Sequence, residues 1–163
     1  MDMLEADIDC ETMQVGKKIF EHFSVEYIWA THTVPTAVYK LKVGGRSIVF
    51  CPDNELKSEK SDENEKFLNT FRKFIRNTDL LIHDAQYSRE EYELRKNWGH
   101  SAWENVLDIA IKKNVQSLSL FHHDPDKDDE VLAQIESKVI EKANGVFENV
   151  GLAKEGQVLS LPL

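Results

Sequence analysis

Residues 24–51 have the residue pattern of β-strands. β-Branched and aromatic residues dominate from Ser24 to Cys51, and Gly44-Gly45 separates the runs TAVYKLKV and RSIVFC. A glycine pair between two such runs is typical of the tight turn of a β-hairpin. Pro35 interrupts the strand pattern, which indicates an edge strand, a bulge or a strand start. Residues 1–23 are too weakly patterned to predict an element.

The rest of the chain alternates between helical and strand-like patterns. The polar segment from Asn54 to Asn64 predicts a surface loop, and apolar spacing predicts an amphipathic helix over Glu65–Asn77. The short apolar runs DLLIHDA and VQSLSLF predict two buried strands, and a helical pattern follows each of them. The C-terminal stretch NVGLAKEGQVLSLPL predicts a two-stranded ribbon around Glu155-Gly156.

Two serines predict helix starts. Ser88 is followed three residues later by Glu91, and Ser101 by Glu104. With this capping-box spacing the serine accepts a hydrogen bond from an early helix N–H while the glutamate reaches back to the serine N–H. A further helix is predicted from the apolar spacing that begins at Val131, and the acidic residues before it suit the positive end of the helix dipole.

The alternation of strands and helices after residue 46 predicts an α/β fold, with a mixed sheet covered by helices. A length of 163 residues predicts one domain over residues 1–163, with a core of its own. In such folds the residues just beyond the strand ends are the usual place for a functional site.

Composition narrows the class of protein. Hydrophobic residues make up 41% of the chain and charged residues 30%, which is ordinary for a soluble globular protein. Because no apolar run approaches a membrane span and the N-terminus lacks the pattern of a secretory signal, we expect a cytoplasmic protein. Cys10 and Cys51 are far apart and have no metal-type spacing, so we expect reduced, buried or idle thiols.

The net charge of −9 argues against some partners. Nonspecific binding to nucleic acid or to an anionic membrane needs a basic patch, and the sequence shows none. A small anionic substrate that is held by a metal stays possible, because a bound cation can dominate the local field.

Histidines and aspartates stand at the ends of the predicted strands. Imidazoles and carboxylates are suitable ligands for zinc, iron or manganese, and a carboxylate between two cations can bridge them. Each residue also has a purely structural interpretation, for example as a turn residue or as part of a helix start. The spacing alone leaves both interpretations open for the whole set: His32, Asp53, His83, Asp84, His100, His122, His123 and Asp124.

Four motifs, taken together, resemble a known family. They are IVFCPDNE, DLLIHDAQYSREEY, NWGHSAWENVLDIA and LSLFHHDPDKDDE. In order and spacing they resemble the second half of a metallo-β-lactamase-fold protein, in the branch of ribonuclease-Z-like and phosphodiesterase-like metallohydrolases. The resemblance implies the C-terminal half of an αββα sandwich, in which two sheets pack face to face with helices outside.

The same resemblance implies roles for individual residues. His100 and Asp84 match a pair that serves as a proton shuttle or contacts an oxyanion, and His123 would orient the metal-binding loop from outside the ligand set. The implied metal ligands, with the aspartate as the bridge between two metals, are His32, Asp53 and His122.

The family's first metal motif, His-x-His-x-Asp-His, does not occur in this sequence. The chain therefore supplies only part of the two-metal site, and we expect weak binding of zinc, iron or manganese by the chain alone. We also expect an apolar sheet face that needs a partner, which would be a complementary N-terminal half or a second copy of the chain.

Three functions follow as hypotheses. The first is a metal-dependent hydrolase, acting on a phosphodiester through a two-metal site that this chain supplies in part. The second is a non-catalytic diiron or other metal-binding sensor module. The third is a degenerate half-domain that serves dimerisation or protein interaction. The first is favoured, because the Asp84–His100 pair has no role in pure scaffolding.

Overall fold

The structure, a computed structural model, describes residues 16–59 and 61–161. Within them seven strands form one mixed sheet in the order β1-β2-β3-β4-β5-β6-β7. The strands are β1 Gly16–Ile19, β2 Phe23–Trp29, β3 Ala37–Val43, β4 Arg46–Cys51, β5 Leu80–Asp84, β6 Ser117–Phe121 and β7 Asn149–Leu152. The helices are α1 Asp62–Phe74, α2 Arg89–Glu93, α3 Trp103–Lys112 and α4 Asp129–Ala143.

The sheet changes direction at β4. Strands β1 to β4 pair antiparallel, and strands β4 to β7 pair parallel through crossovers that contain the helices. The predicted hairpin joins β3 to β4, with φ of +56° at Gly44 and +79° at Gly45. Positive φ at both central residues is what a tight hairpin turn requires and what glycine adopts without strain. The predicted α/β fold with a mixed sheet is confirmed.

The core lies between one face of the sheet and the helices. In β4, β5 and β6, every second side chain enters a single buried cluster, which also receives side chains from α1, α3 and α4. Val49, Leu81 and Leu118 lie in register across the three central strands. Because these strands are packed firmly on the helices, their ends are fixed relative to one another.

The other face of the sheet carries large apolar side chains that reach solvent within the described residues. Trp29, Tyr39 and Phe50 are 52%, 43% and 40% exposed. Tyr39 is the cross-strand neighbour of both Tyr27 and Phe50, so the aromatic side chains form a continuous band across β2, β3 and β4. We call this band of Tyr27, Trp29, Tyr39 and Phe50 the aromatic face. Contiguous exposed apolar surface of this kind marks an interaction site.

The segment after β4 differs from its prediction as a surface loop. Asn54, Glu55 and Leu56 are buried, so only the later part of the segment is at the surface. Helix α1 also begins and ends three residues earlier than predicted, because the Ser61 side chain accepts a hydrogen bond from Asn64 N–H and caps the helix.

One of the two predicted capping boxes is wrong. Ser88 and Glu91 form the box at the start of α2. Helix α3, however, has Ala102 as its N-cap and no side-chain cap. Ser101 instead donates its hydroxyl to the carbonyl of Asn54 and accepts from Leu56 N–H. A buried tertiary partner thus competes successfully with the local capping interaction.

The predicted C-terminal ribbon is also wrong. Its first part is β7, which pairs in parallel with β6, and residues 153–161 form no strand. The turn at Glu155-Gly156 is present, but the sheet offers β7 a better partner than its own chain continuation.

The two cysteine predictions have different outcomes. Cys51 is fully buried, and burial raises the pKa of its thiol well above the ordinary value, so the thiol is kept protonated. Cys10 lies outside the described residues. Among the helices of the described part, none is long and apolar enough to cross a membrane.

Candidate metal centre

The carboxyl ends of β4, β5 and β6 lie side by side at one edge of the sheet, because β4 pairs in parallel with β5 and β5 with β6. Asp53 lies just beyond β4, Asp84 is the last residue of β5, and His122 directly follows β6. Three of the residues singled out from the sequence therefore meet at one place. This edge is where α/β sheets ordinarily hold their ligands.

The Asp53 carboxylate faces two histidines with its two oxygens. Oδ1 lies 2.9 Å from His122 Nδ1, and Oδ2 lies 3.9 Å from His32 Nε2. His32 reaches this position from the segment between β2 and β3, so the three residues come from three separate parts of the chain. A carboxylate with one oxygen towards each of two histidines has the arrangement of a bridging ligand.

His122 is held in a conformation that few residues other than glycine adopt, with φ of +59°. Its Nδ1 atom is buried and makes no well-directed hydrogen bond within the described residues, although Asp53 is close. A buried ring nitrogen without a hydrogen-bond partner is costly unless it binds something else. Together with the unusual backbone conformation, this atom fits a metal ligand.

Asp84 and His100 form a tight pair beside these residues. His100 Nδ1 donates to Asp84 Oδ2 over 2.6 Å, and the Asp84 side chain is fully buried. Burial lowers the pKa of His100, but the hydrogen bond and the charge of Asp84 act in the opposite direction and outweigh burial. The pKa of His100 therefore lies above its ordinary value.

Four residues offer ligand-type atoms within 4.8 Å of one another: Asp53, Asp84, His100 and His122. Within this group Asp84 already uses Oδ2 to hold His100, so the two act as a pair. The His100 ring packs edge-on against the rings of His122 and His32, with centroid distances of 4.7 and 5.2 Å. The pair thus stands directly beside the Asp53 carboxylate and its two histidines.

His32 lies outside that group of four but is oriented towards it. Its Nδ1 lies 3.0 Å from the carbonyl oxygen of Gly99. Because a carbonyl can only accept, Nδ1 is the donor in this contact, and Nε2 is the ring nitrogen that faces Asp53. A hydrogen bond from the far ring nitrogen is the usual support of a metal-binding histidine.

The remaining sequence candidates lie elsewhere. His83 is fully buried, donates from Nδ1 to its neighbour's carbonyl and accepts at Nε2 from Asn54, and burial lowers its pKa, so its role is structural. His123 lines a cavity of about 600 Å³ beside α4, and burial lowers its pKa. Asp124 accepts from Asp126 N–H in a surface turn.

Asn54 is a site residue that the sequence patterns missed. It is completely buried, and its polar groups hold three different segments. Its Oδ1 accepts from Thr31 N–H, its N–H donates to Asp84 Oδ2, and its carbonyl accepts from the Ser101 hydroxyl. These contacts tie together the segments that carry His32, Asp84 and His100.

Comparison with known proteins finds proteins of similar sequence and solved structures of similar fold. No family model matches the chain. In sequence, a ribonuclease Z from Picrophilus torridus is 31% identical over 111 residues, which are 68% of this chain and 30% of that protein. A ribonuclease Z from Archaeoglobus fulgidus is 28% identical over 129 residues, 78% of this chain and 37% of that protein. The chain thus spans about a third of the length of these relatives.

In structure, the metallo-β-lactamase fold protein YhfI from Bacillus subtilis matches 86% of this chain with 51% of its own, at a TM-score of 0.64 and 19% identity. The chain has the metallo-β-lactamase fold. The short form of human tRNase Z matches 90% of this chain with 46% of its own, at a TM-score of 0.62 and 21% identity. Zn²⁺-bound PqqB from Methylobacterium extorquens matches 93% of this chain with 52% of its own, at a TM-score of 0.60 and 15% identity.

These comparisons confirm the resemblance to the ribonuclease-Z-like branch of the metallo-β-lactamase fold. They also agree with a partial domain, since about half of each solved structure is matched. They do not test the assignment of individual ligands in this chain, which stays a prediction supported by the geometry around Asp53.

Proposed function

We propose that this chain supplies part of a two-metal site that hydrolyses a phosphodiester. The observation that carries the proposal is the Asp53 carboxylate, which turns one oxygen to His122 and the other to His32 beside the Asp84–His100 pair. The ribonuclease Z relatives, which by name cleave a nucleic acid, support the substrate class.

The proposed ligands in this chain are His32, Asp53 and His122. Their imidazole and carboxylate donors suit zinc, iron or manganese, and the metallo-β-lactamase fold is seen with zinc in PqqB. Two such ions, when bound, polarise a phosphodiester and lower the pKa of a bound water. Asp53 would hold both ions, while each histidine would hold one.

Asp84 and His100 perform the proton transfer in this proposal. Because His100 Nδ1 is hydrogen-bonded to Asp84, the free nitrogen is Nε2. The raised pKa of His100 favours a proton on Nε2, from which it could be donated to a phosphate oxygen or a leaving alkoxide. Asp84 fixes the direction of the ring and stabilises its positive charge.

The remaining metal ligands come from a complementary half-domain. This part of the proposal rests on two observations: the missing His-x-His-x-Asp-His motif and the exposed aromatic face. A second β-sheet packed on the aromatic face would bury Trp29, Tyr39 and Phe50.

The alternatives stated for the sequence are weaker than this proposal. A sensor module or a degenerate interaction unit needs no proton-transfer pair, whereas Asp84 is completely buried and committed to His100. The relatives found by sequence are ribonucleases by name. A hydrolase therefore accounts for more of the site than either alternative.

The direct test is hydrolysis of bis(p-nitrophenyl) phosphate by the chain assembled with the N-terminal half-domain of a ribonuclease Z relative, in the presence of Zn²⁺ or Mn²⁺. We expect turnover that His100→Ala reduces by at least about 100-fold, a typical contribution of one acid–base group. His22→Ala is the matched control, because His22 is exposed. An assembly that holds two metals per site and shows no His100-dependent turnover would overturn the proposal.

A further inference from the structure

Glu55 is a buried glutamate that contacts the segments carrying His32 and His100. These are the two site histidines that do not directly follow a strand. Glu55 is only 2% exposed, and no counter-charge is paired with it within the described residues. It is stabilised instead by three hydrogen-bond donors. Tyr92 O–H and Asn97 N–H donate to Oε1, both over 2.8 Å, and Gly99 N–H donates to Oε2 over 3.1 Å. A buried carboxylate that accepts three such bonds is a strong local anchor.

The donors belong to one irregular turn. Asn97 has φ of +67°, which costs free energy in a residue other than glycine, and Gly99 has φ of +94°, which glycine adopts without strain. Two of the three bonds to Glu55 come from the backbone of this turn. The turn ends at His100, whose ring is held by Asp84. Glu55 therefore fixes the backbone from which His100 projects.

The same turn orients His32. The Gly99 carbonyl accepts from His32 Nδ1, and a Cβ atom at Gly99 would overlap the His32 ring. The turn and the ring are thus in direct contact, with the ring tautomer set by one backbone oxygen. Glu55 also donates its own N–H to the carbonyl of Thr31, the residue before His32. Glu55 thus supports His32 in two ways. Its carboxylate holds the turn that contacts the His32 ring, and its N–H holds the backbone just before His32.

We propose that Glu55 is a positioning residue, whose buried carboxylate holds the Asn97–Gly99 turn and through it sets the tautomer of His32 and the placement of His100. The inference deepens the proposed function, because it assigns what holds two of that site's histidines. Glu55 contacts neither substrate nor metal in this account. It acts through the turn.

Glu55→Gln is the variant that tests the proposal. The substitution keeps the size of the side chain but replaces one accepting oxygen with an amide that donates, and this amide would face a donor N–H. The turn should loosen and the Gly99 carbonyl should withdraw from His32. Because an isolated neutral imidazole prefers its proton on Nε2, His32 should move from the Nδ1–H form towards the Nε2–H form.

The primary readout is the tautomer of each histidine in ¹⁵N-labelled chain, measured by long-range ¹H–¹⁵N correlation at a pH where the rings are neutral. This measurement needs neither metal nor turnover, so it can succeed or fail separately from the proposed hydrolysis. The second readout is the Zn²⁺ dissociation constant by calorimetry, which should rise by about 10- to 100-fold, as is usual when the support of a ligand is lost.

Asp79→Asn is the matched control. Asp79 is a carboxylate that also accepts several hydrogen bonds, from Arg46 and Ser47, but it lies just before β5, at the end of the strand away from the site. It should leave the His32 tautomer unchanged. A Glu55→Gln chain that keeps His32 in the Nδ1–H form, or an Asp79→Asn chain that shifts His32 equally, would overturn the proposal.

If the Glu55→Gln chain does not fold, the Tyr92→Phe chain tests the proposal instead. It removes one of the three donors to Glu55 and leaves the carboxylate in place. A partial shift of His32 towards the Nε2–H form would support the proposal. A Tyr92→Phe chain with the tautomer and the Zn²⁺ affinity of the original chain would overturn it.

Discussion

His100 Nδ1 lies 2.6 Å from Asp84 Oδ2, and Asp84 has no exposed surface. The Asp84 carboxylate also accepts from Asn54 N–H and Gln86 N–H, so the imidazole of His100 is held by a carboxylate that the backbone fixes in place. The pair stands next to the shared carboxylate of Asp53, with the His100 and His122 ring centroids 4.7 Å apart. The proposed proton-transfer pair and the proposed metal ligand His122 thus lie next to each other in a single cluster.

The first prediction concerns this pair. Asp84 is the group that raises the pKa of His100 against the opposing effect of burial. Asp84→Asn should therefore lower the pKa of His100. Since the protonated form acts as the general acid, the alkaline limb of kcat/KM should move to lower pH.

A pH–rate profile of the assembled enzyme and an NMR titration of His100 in the chain alone would both report this change. Asp108→Asn, on the exposed surface of α3, is the control and should leave the titration in place. A titration of His100 that stays where it was in Asp84→Asn would show that Asp84 does not control the ring.

The second prediction concerns Gly99, whose missing Cβ makes room for the His32 ring. Gly99→Ala should lower the free energy of unfolding by about 1–3 kcal/mol for the strained backbone and also displace His32. Gly156→Ala is the matched control, because Gly156 also has a positive φ but has no atom near the position of the new Cβ.

Denaturant unfolding and Zn²⁺ titration of the two variants would separate the effects. Both variants should lose stability through the backbone, but only Gly99→Ala should weaken Zn²⁺ binding. Equal Zn²⁺ affinity in the two variants would mean that the contact between Gly99 and His32 does not matter for the site.

The third prediction concerns a carboxylate away from the site. Burial raises the pKa of Asp79, but the hydrogen bonds from Arg46 and Ser47 and the charge of Arg46 outweigh it and leave the pKa below the ordinary value. A depressed carboxyl pKa contributes stability that is present above the unfolded-state pKa, near 3.9, and is lost as the pH falls through the folded-state pKa.

Asp79→Asn should therefore cost about 1–2 kcal/mol at pH 7 through the lost charged hydrogen bonds. The difference from the original chain should shrink as the pH falls below the unfolded-state pKa. Urea unfolding at several pH values measures both quantities. A stability difference that does not change with pH would contradict the assigned ionisation of Asp79.

The outcome of the sequence predictions follows a physical pattern. Gly44-Gly45, the three parallel strands and the helical spacing are local signals, and the structure has the corresponding elements. The rule that parallel strands end at one edge accounts for the meeting of Asp53, Asp84 and His122, whereas the choice of these residues and of His100 among the candidates rested on the family resemblance. A prediction that rested on a local pattern was confirmed where no distant segment competed for the same hydrogen-bonding groups.

Other residues could not be placed from the sequence, because distant partners decide their position. Ser101 had the spacing of a helix cap, but Asn54 and Leu56 offered buried partners. Asn54 and Glu55 looked like surface residues after a strand, since polar residues usually lie there. Their burial depends on donors and acceptors more than twenty residues away, such as Thr31 and Gly99.

The fourth prediction concerns the bridge itself. Asp53→Asn removes the charge that both proposed metal positions share, while the hydrogen bonds of Asn54 that hold the segment stay in place. Zn²⁺ affinity should fall by more than about 10-fold. Asp108→Asn again serves as the control, with an unchanged affinity expected.

The most direct test of the central claim is metal content per chain. Elemental analysis would be made on the original chain and on Asp53→Asn, each assembled with the N-terminal half-domain of a ribonuclease Z relative, purified without chelator and loaded in parallel with Zn²⁺, Fe²⁺ or Mn²⁺. The account predicts bound metal in the original chain and its loss in Asp53→Asn at equal folded content. Equal metal in the two proteins, or none in either under every loading condition, would contradict a metal centre built on Asp53.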